Sequence, residues 1–268
     1  MIRQVVTALA VTACLATMAG CDDKKDGPKL APSASALASS APPASAKTMK
    51  FAIDPKSETS LMLEAPELKI KAKTNAAAGS LDIDMKDVAS SRGEIKVDLS
   101  TIVMSTYGTD KDKTQTVHAR TWLEVADGED GKLDEKVKEQ NRYAVYAIRS
   151  IENPSATDVT KVAPTKDGQD EVRTITMTTK GELLVHGRKV DRDGEVEVAF
   201  RYDPGAAPDK PKSVSVKSKK PFRVVLAEHD VKPRDGFGKI AKGSFNLLGT
   251  KVAENADISL DLRATPQS

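Results

Sequence analysis

Apolar and polar residues alternate with period two through most of the chain beyond residue 49, and turn-forming residues bound each alternating run. The clearest runs are 68–72, 81–85, 93–99, 195–202, 213–216 and 258–262. In 93–99, Ile95, Val97 and Leu99 fall on one face while Glu94, Lys96 and Asp98 fall on the other. A strand of this kind has one dry side and one wet side, as antiparallel sheets do. Asp193-Gly194 reads as a type I′ hairpin turn, because both central residues of that turn need positive φ. Residues 91–93 and Lys180-Gly181 read as looser turns. Helix signal is confined to 116–124, with Val117, Trp122 and Leu123 as apolar anchors, and to a short polar stretch at 134–141. The pattern predicts an all-β, antiparallel β-barrel with one or two short helices. Alternation alone does not separate a hollow barrel from a filled one.

The first 49 residues follow different rules. One basic residue, Arg3, precedes an apolar run at 5–20 that ends in small residues, which is the pattern of a secretory signal. The run is shorter than the roughly 20 apolar residues of a spanning helix. Met18-Ala19-Gly20-Cys21 resembles a bacterial lipobox. That resemblance implies removal of residues 1–20, Cys14 included, and acylation of Cys21 with diacylglycerol and a further chain such as palmitate. Several acyl chains hold a protein at a membrane where one chain holds it only marginally. Residues 31–46 are Ala, Ser and Pro apart from Leu37, and Pro32, Pro42 and Pro43 oppose a helix. Residues 21–49 therefore read as a lipidated Cys with a disordered tether, and 50–268 as one domain.

Composition narrows the chemistry. Lys plus Arg is 41 against 39 Asp plus Glu, so the basic excess that nucleic-acid binding needs is missing. Aromatic residues are 4% of the chain, thin material for stacking on bases or sugars. His118, His186 and His229 are too dispersed for a metal site, which usually shows a close ligand pair. The acidic stretch 127–135 puts Gly131 and Lys132 where a calcium loop needs an oxygen ligand and a glycine. The glycine-rich 236–243 lacks both the dinucleotide and the phosphate-loop spacing. No nucleophile elbow occurs, and no free thiol survives maturation. The chain thus reads as a non-enzyme without metal or cofactor. The basic run 211–220 reads as a wet strand face, with attraction to anionic headgroups as the alternative.

Seven segments, in order, carry a family resemblance. They are Phe51-Ala52-Ile53-Asp54-Pro55-Lys56-Ser57, 91–102, 117–123, 143–148, 181–190, 234–238 and 248–262. Together they resemble the YceI-like family of lipocalin-like periplasmic domains that bind polyisoprenoids, and 181–190, with His186-Gly187, is the most specific match. The chain departs from the family pattern at Lys56 or Ser57, where relatives have His, and at Gln115-Thr116, where they have an Arg-Asp pair. It is also longer, and three polar loops at 127–142, 153–171 and 203–220 take up the surplus. The resemblance implies a membrane-anchored envelope lipoprotein, facing the periplasm or the cell surface, whose barrel holds an apolar, polyisoprenoid-like lipid. Alternation assigns Leu81, Ile83, Ile95, Val97, Leu99, Val145, Val196, Val198, Phe200 and Leu260 to the lumen, with His118 and His186 as candidates for its mouth or for a headgroup contact. The competing reading is a solidly packed interaction module of the envelope.

Overall fold

The computed structural model describes residues 47–65, 68–128, 131–232 and 253–267. Its strands are β1 (Met49–Ile53), β2 (Glu58–Ala65), β3 (Leu68–Thr74), β4 (Ala77–Ile83), β5 (Arg92–Asp98), β6 (Val103–Met104), β7 (Tyr143–Glu152), β8 (Thr165–Asp167), β9 (Asp170–Val185), β10 (Arg188–Tyr202), β11 (Ser213–Ser218), β12 (Phe222–Val225) and β13 (Asn255–Pro266). Two helices, α1 (Lys111–Trp122) and α2 (Glu135–Asn141), lie between β6 and β7. The ladder runs β1-β4-β5-β7-β9-β10-β11-β13 and closes where β13 also pairs β1. All of these pairings are antiparallel. Closure removes the exposed edges that an open sheet would present.

β13 makes the closure possible because it is long enough to serve four partners. Its first half pairs β12 and β2, and its second half pairs β11 and β1. Phe51 stands opposite Pro266, and Gln267 N–H donates to the Lys50 carbonyl at 2.8 Å. The two ends of the described chain are thus hydrogen-bonded to each other, and residues 47–268 contain every described element of one closed unit.

Two glycine positions correct the expected turns. Asp193-Gly194 and Lys180-Gly181 lie inside β10 and β9, where Asp193 pairs Lys180 and Gly194 pairs Thr179. The turn of this hairpin is His186-Gly187, with φ of 50° and 70°, the positive values a two-residue turn requires. Gly194 and Gly181 are there for space. A Cβ on Gly194 would overlap the Phe222 ring, and one on Gly181 would lie 2.8 Å from Tyr146 Cζ and overlap the Ala147 carbonyl. The two rings occupy volume that a side chain at Gly181 or Gly194 would need.

α1 begins at Lys111, well before the apolar anchors suggest. The Asp112 carboxylate accepts the N–H groups of Thr106, Tyr107 and Gly108 at 3.0, 2.9 and 2.7 Å and so orders the approach to the helix. α2 begins one residue after its cap Asp134, whose side chain accepts the Lys136 N–H at 2.8 Å. Of the three long loops, 127–142 contains α2, 153–171 contains a 3₁₀ turn and β8, and 203–220 contains β11. Cys14, Cys21, the tether up to residue 46 and the motifs at 234–238 and 248–252 lie outside the described residues.

Candidate functional site

The inward faces of the barrel strands enclose apolar chambers in series. The first, about 50 Å³, is walled by Leu81, Ile83, Ile95, Val196, Val198 and Phe200 among others. The second, about 70 Å³, is walled by Ile95, Val97, Leu99, Leu183 and Leu260. A third, about 200 Å³, lies where α1 meets β2 and β3, with Ile70, Met104, Ala119 and Trp122 in its wall. The first and second share Ile95, Tyr146, Phe222 and Leu260, and the second and third share Leu61 and Ile102. The chambers are therefore consecutive, each separated from the next by side chains rather than backbone.

Two of the four residues that the first two chambers share are aromatic. Tyr146 and Phe222 meet edge to face with ring centroids 5.8 Å apart at 67°. Tyr146 comes from β7 and is fixed, because its hydroxyl donates to the Arg192 carbonyl at 3.0 Å and lies 3.2 Å from Thr179 Oγ1. Burial pushes its phenol up to about 12, so it stays protonated. Phe222 comes from the short strand β12, and its ring lies over Gly194.

Nine of the ten expected lumen residues wall the first two chambers: Leu81, Ile83, Ile95, Val97, Leu99, Val196, Val198, Phe200 and Leu260. Val145 does not. Strand β7 is buried on both faces from Val145 to Ile148, so burial did not mark the inward side, and Tyr146 and Ile148 are the residues that face the lumen. Tyr146, Phe222 and Arg192 were missed, although the alternation of 195–202 extended back through Gly194 places Arg192 inward.

The two histidine candidates separate. His118 is on α1, exposed on one side and part of the third chamber's wall. His186 borders none of these chambers. It is buried, with Nδ1 3.0 Å from the His229 carbonyl and Nε2 2.8 Å from Glu124 Oε2. Its ring thereby ties the β9–β10 turn to a 3₁₀ turn at Leu226–His229 and to Glu124, which has φ of 55° just past the end of α1. His229 is fully buried, its Nδ1 3.3 and 3.2 Å from the carbonyls of Val185 and Arg188. Burial outweighs those contacts and lowers its pKa below the usual histidine value. Both histidines hold turns together at one end of the barrel.

The basic run lies on and beside the wet face of β11. Lys212 pairs Asp170 and Asp203, Lys217 pairs Asp261, and Lys220 pairs Glu195, so local acids offset much of its charge. Among the described residues no group of three His, Cys, Asp or Glu is set to hold a metal, and no helix is long and apolar enough to cross a membrane.

Against known proteins, no family model and no curated sequence matches the chain. Solved structures do. The crystal structure of BcnA from Burkholderia cenocepacia superposes with a TM-score of 0.50 at 13% identity, over 80% of this chain and 99% of that one. The chain has the BcnA fold. A polyisoprenoid binding domain from Saccharophagus degradans, implicated in plant cell wall breakdown, gives a TM-score of 0.49 at 13% identity over 82% of this chain and 99% of that one. At such identity the likeness to BcnA concerns the path of the backbone.

Proposed function

We propose that the protein is a non-enzymatic lipoprotein of the bacterial cell envelope, anchored through Cys21 and a flexible tether, whose barrel takes up a slender apolar chain such as a polyisoprenoid for sequestration or transport. The observation that carries this reading is the series of three chambers, whose walls are mostly aliphatic. Empty apolar cavities of this kind stay dry and favour apolar occupants. Each Å² of chain surface taken from water contributes roughly 25 cal/mol. The order of the YceI-like segments along the sequence and the BcnA-like fold support the same reading. A chain longer than one chamber has to pass Phe222, whose ring must swing off Gly194 while Tyr146 stays hydrogen-bonded.

A second reading has a specific observation in its favour. The first two chambers, about 50 and 70 Å³, are far below the roughly 300 Å³ at which ligand pockets usually begin. A barrel filled to that extent suits an interaction module of the envelope. Native mass spectrometry of residues 47–268 separates the two. Uptake of added polyprenol, released by organic solvent, supports the carrier; a clean apo mass at saturating polyprenol leaves the packed module.

A further inference from the structure

β2, β3 and β6 branch from the first half of β13, outside the closed ladder. From this branch Leu61, Leu63, Ile70 and Ala72 face the third chamber. Successive strand residues point to opposite faces, so Met62, Lys69, Lys71 and Lys73 lie on its outer face. The register sets Met62 beside Lys71, and Lys73 between Ser60 and Val103. α1 runs along the remaining edge of β6. There Thr116 Oγ1 accepts the Met104 N–H at 3.0 Å, and Arg120 Nε–H donates to the Ile102 carbonyl at 2.9 Å.

Among the described residues the exposed large hydrophobic side chains are Met62, Val103, Tyr107 and Val117. All belong to this branch, to α1 or to the turn that joins them. Single exposed apolar residues scattered over a surface are ordinary, but their collection in one place is not. Cations lie between them. Lys69 pairs Glu64, and Lys113 pairs Asp110. Lys71 and Lys73 are exposed and pair no carboxylate among the described residues. Lys111 Nζ lies over the Tyr107 ring, 5.4 Å from its centroid. Lys212, Lys217 and Lys220 differ, since each is held by an acid.

Exposed apolar side chains interleaved with unpaired lysines match the interface of an anionic bilayer. Ammonium groups meet the phosphates there, and apolar groups enter the acyl boundary beneath. We infer that the outer face of β2, β3 and β6, with the exposed side of α1, is a docking face for an anionic lipid bilayer. This goes beyond the carrier reading, takes from it only the envelope setting, and holds with or without a ligand in the barrel. β1 pairs the opposite half of β13 from this face. An anchor that precedes β1 and a docked branch therefore hold the domain at two separate places, which fixes the side of the barrel turned to the bilayer.

Vesicle flotation of residues 47–268, which lack Cys21 and hence any acyl chain, tests the face without the anchor. Binding to phosphatidylcholine vesicles that contain phosphatidylglycerol is expected to be about tenfold or more tighter than to phosphatidylcholine alone, and to weaken with salt. Lys71→Gln with Lys73→Gln should lower that affinity about tenfold or more. Met62→Ser with Val103→Ser should lower it severalfold and leave the salt dependence unchanged. Lys217→Gln with Lys220→Gln, on the far side of β13, should leave it as it was. All these positions are solvent-facing, and circular dichroism checks that each variant is folded. No binding, or equal binding to both vesicle types, overturns the docking face. An equal loss in the Lys217 and Lys220 variant overturns its location. Dimerisation that Val103→Ser abolishes, without vesicle binding, makes the face an interface between two copies and overturns the lipid assignment. Polyprenol uptake is read separately by native mass spectrometry, so failure of the docking face and failure of the carrier are distinct results.

Discussion

The edge-to-face contact between Tyr146 and Phe222, with centroids 5.8 Å apart, joins two of the residues that wall both the first and the second chamber. The two rings differ in how they are held. Tyr146 is anchored through its hydroxyl to the Arg192 carbonyl, whereas Phe222 is positioned by packing alone on a four-residue strand.

Truncating the Phe222 ring is expected to join the chambers. Phe222→Ala should cost about 3–5 kcal/mol of stability, as large-to-small changes at buried aromatic positions do. It should also speed the uptake of an apolar chain. Denaturant unfolding and stopped-flow uptake of a fluorescent polyene measure the two effects. Unchanged uptake in a folded variant would contradict this expectation.

Glycine at 194 is required by the ring above it. Gly194→Ala should cost about 1–3 kcal/mol through overpacking, and Phe222→Ala in the same chain should remove that cost. The double-mutant cycle by urea denaturation reads the coupling directly. Gly181→Ala meets the Ala147 carbonyl, which is backbone and cannot step aside, so truncating Tyr146 should not rescue it.

These glycines also show where the sequence misleads. Alternation at 93–99 and 195–202 carried the strands and most of the lumen face, because each has one wet side to contrast with its dry one. Glycine is ambiguous between a turn, where φ is positive, and a close approach, where side-chain volume is absent. At 180–181 and 193–194 it serves the second purpose, and the contact partner lies tens of residues away. Val145 misled for the opposite reason: with β7 dry on both faces, composition no longer marks which side is inward. The chambers themselves depend on rings from β7 and β12 meeting across the barrel, which no local pattern encodes.

His229 makes the fold sensitive to mild acid. Its folded pKa lies below the unfolded value of 6.5, so the unfolded chain binds the proton first. Its contribution is complete above about pH 6.5 and declines as pH falls below that value towards the folded pKa. Thermal unfolding across this window should show a falling midpoint, and His229→Asn should flatten that part of the profile. A wild-type midpoint that stays level there would contradict the assignment.

Asp112 acts at lower pH. The N–H groups of Tyr107, Gly108 and Thr106 hold its carboxyl below the ordinary aspartate value of 3.8 despite the opposing effect of burial. Its contribution is present above that value and is lost as pH falls through the folded pKa. Asp112→Asn should accelerate hydrogen exchange at Thr106, Tyr107 and Gly108 at neutral pH, and the wild type should approach the variant's rates, corrected for pH, in strong acid. Equal exchange at all pH values would remove Asp112 as the anchor of this loop.

Whether an apolar chain threads the chambers is tested most directly by the position of the chain's end. Residues 47–268 crystallised with a polyprenyl chain brominated at its terminal carbon should show anomalous bromine density in the first chamber, between Ile83 and Phe200, with the Phe222 ring turned off Gly194. Bromine only on the outer surface, or none with the Tyr146–Phe222 contact intact, would contradict threading.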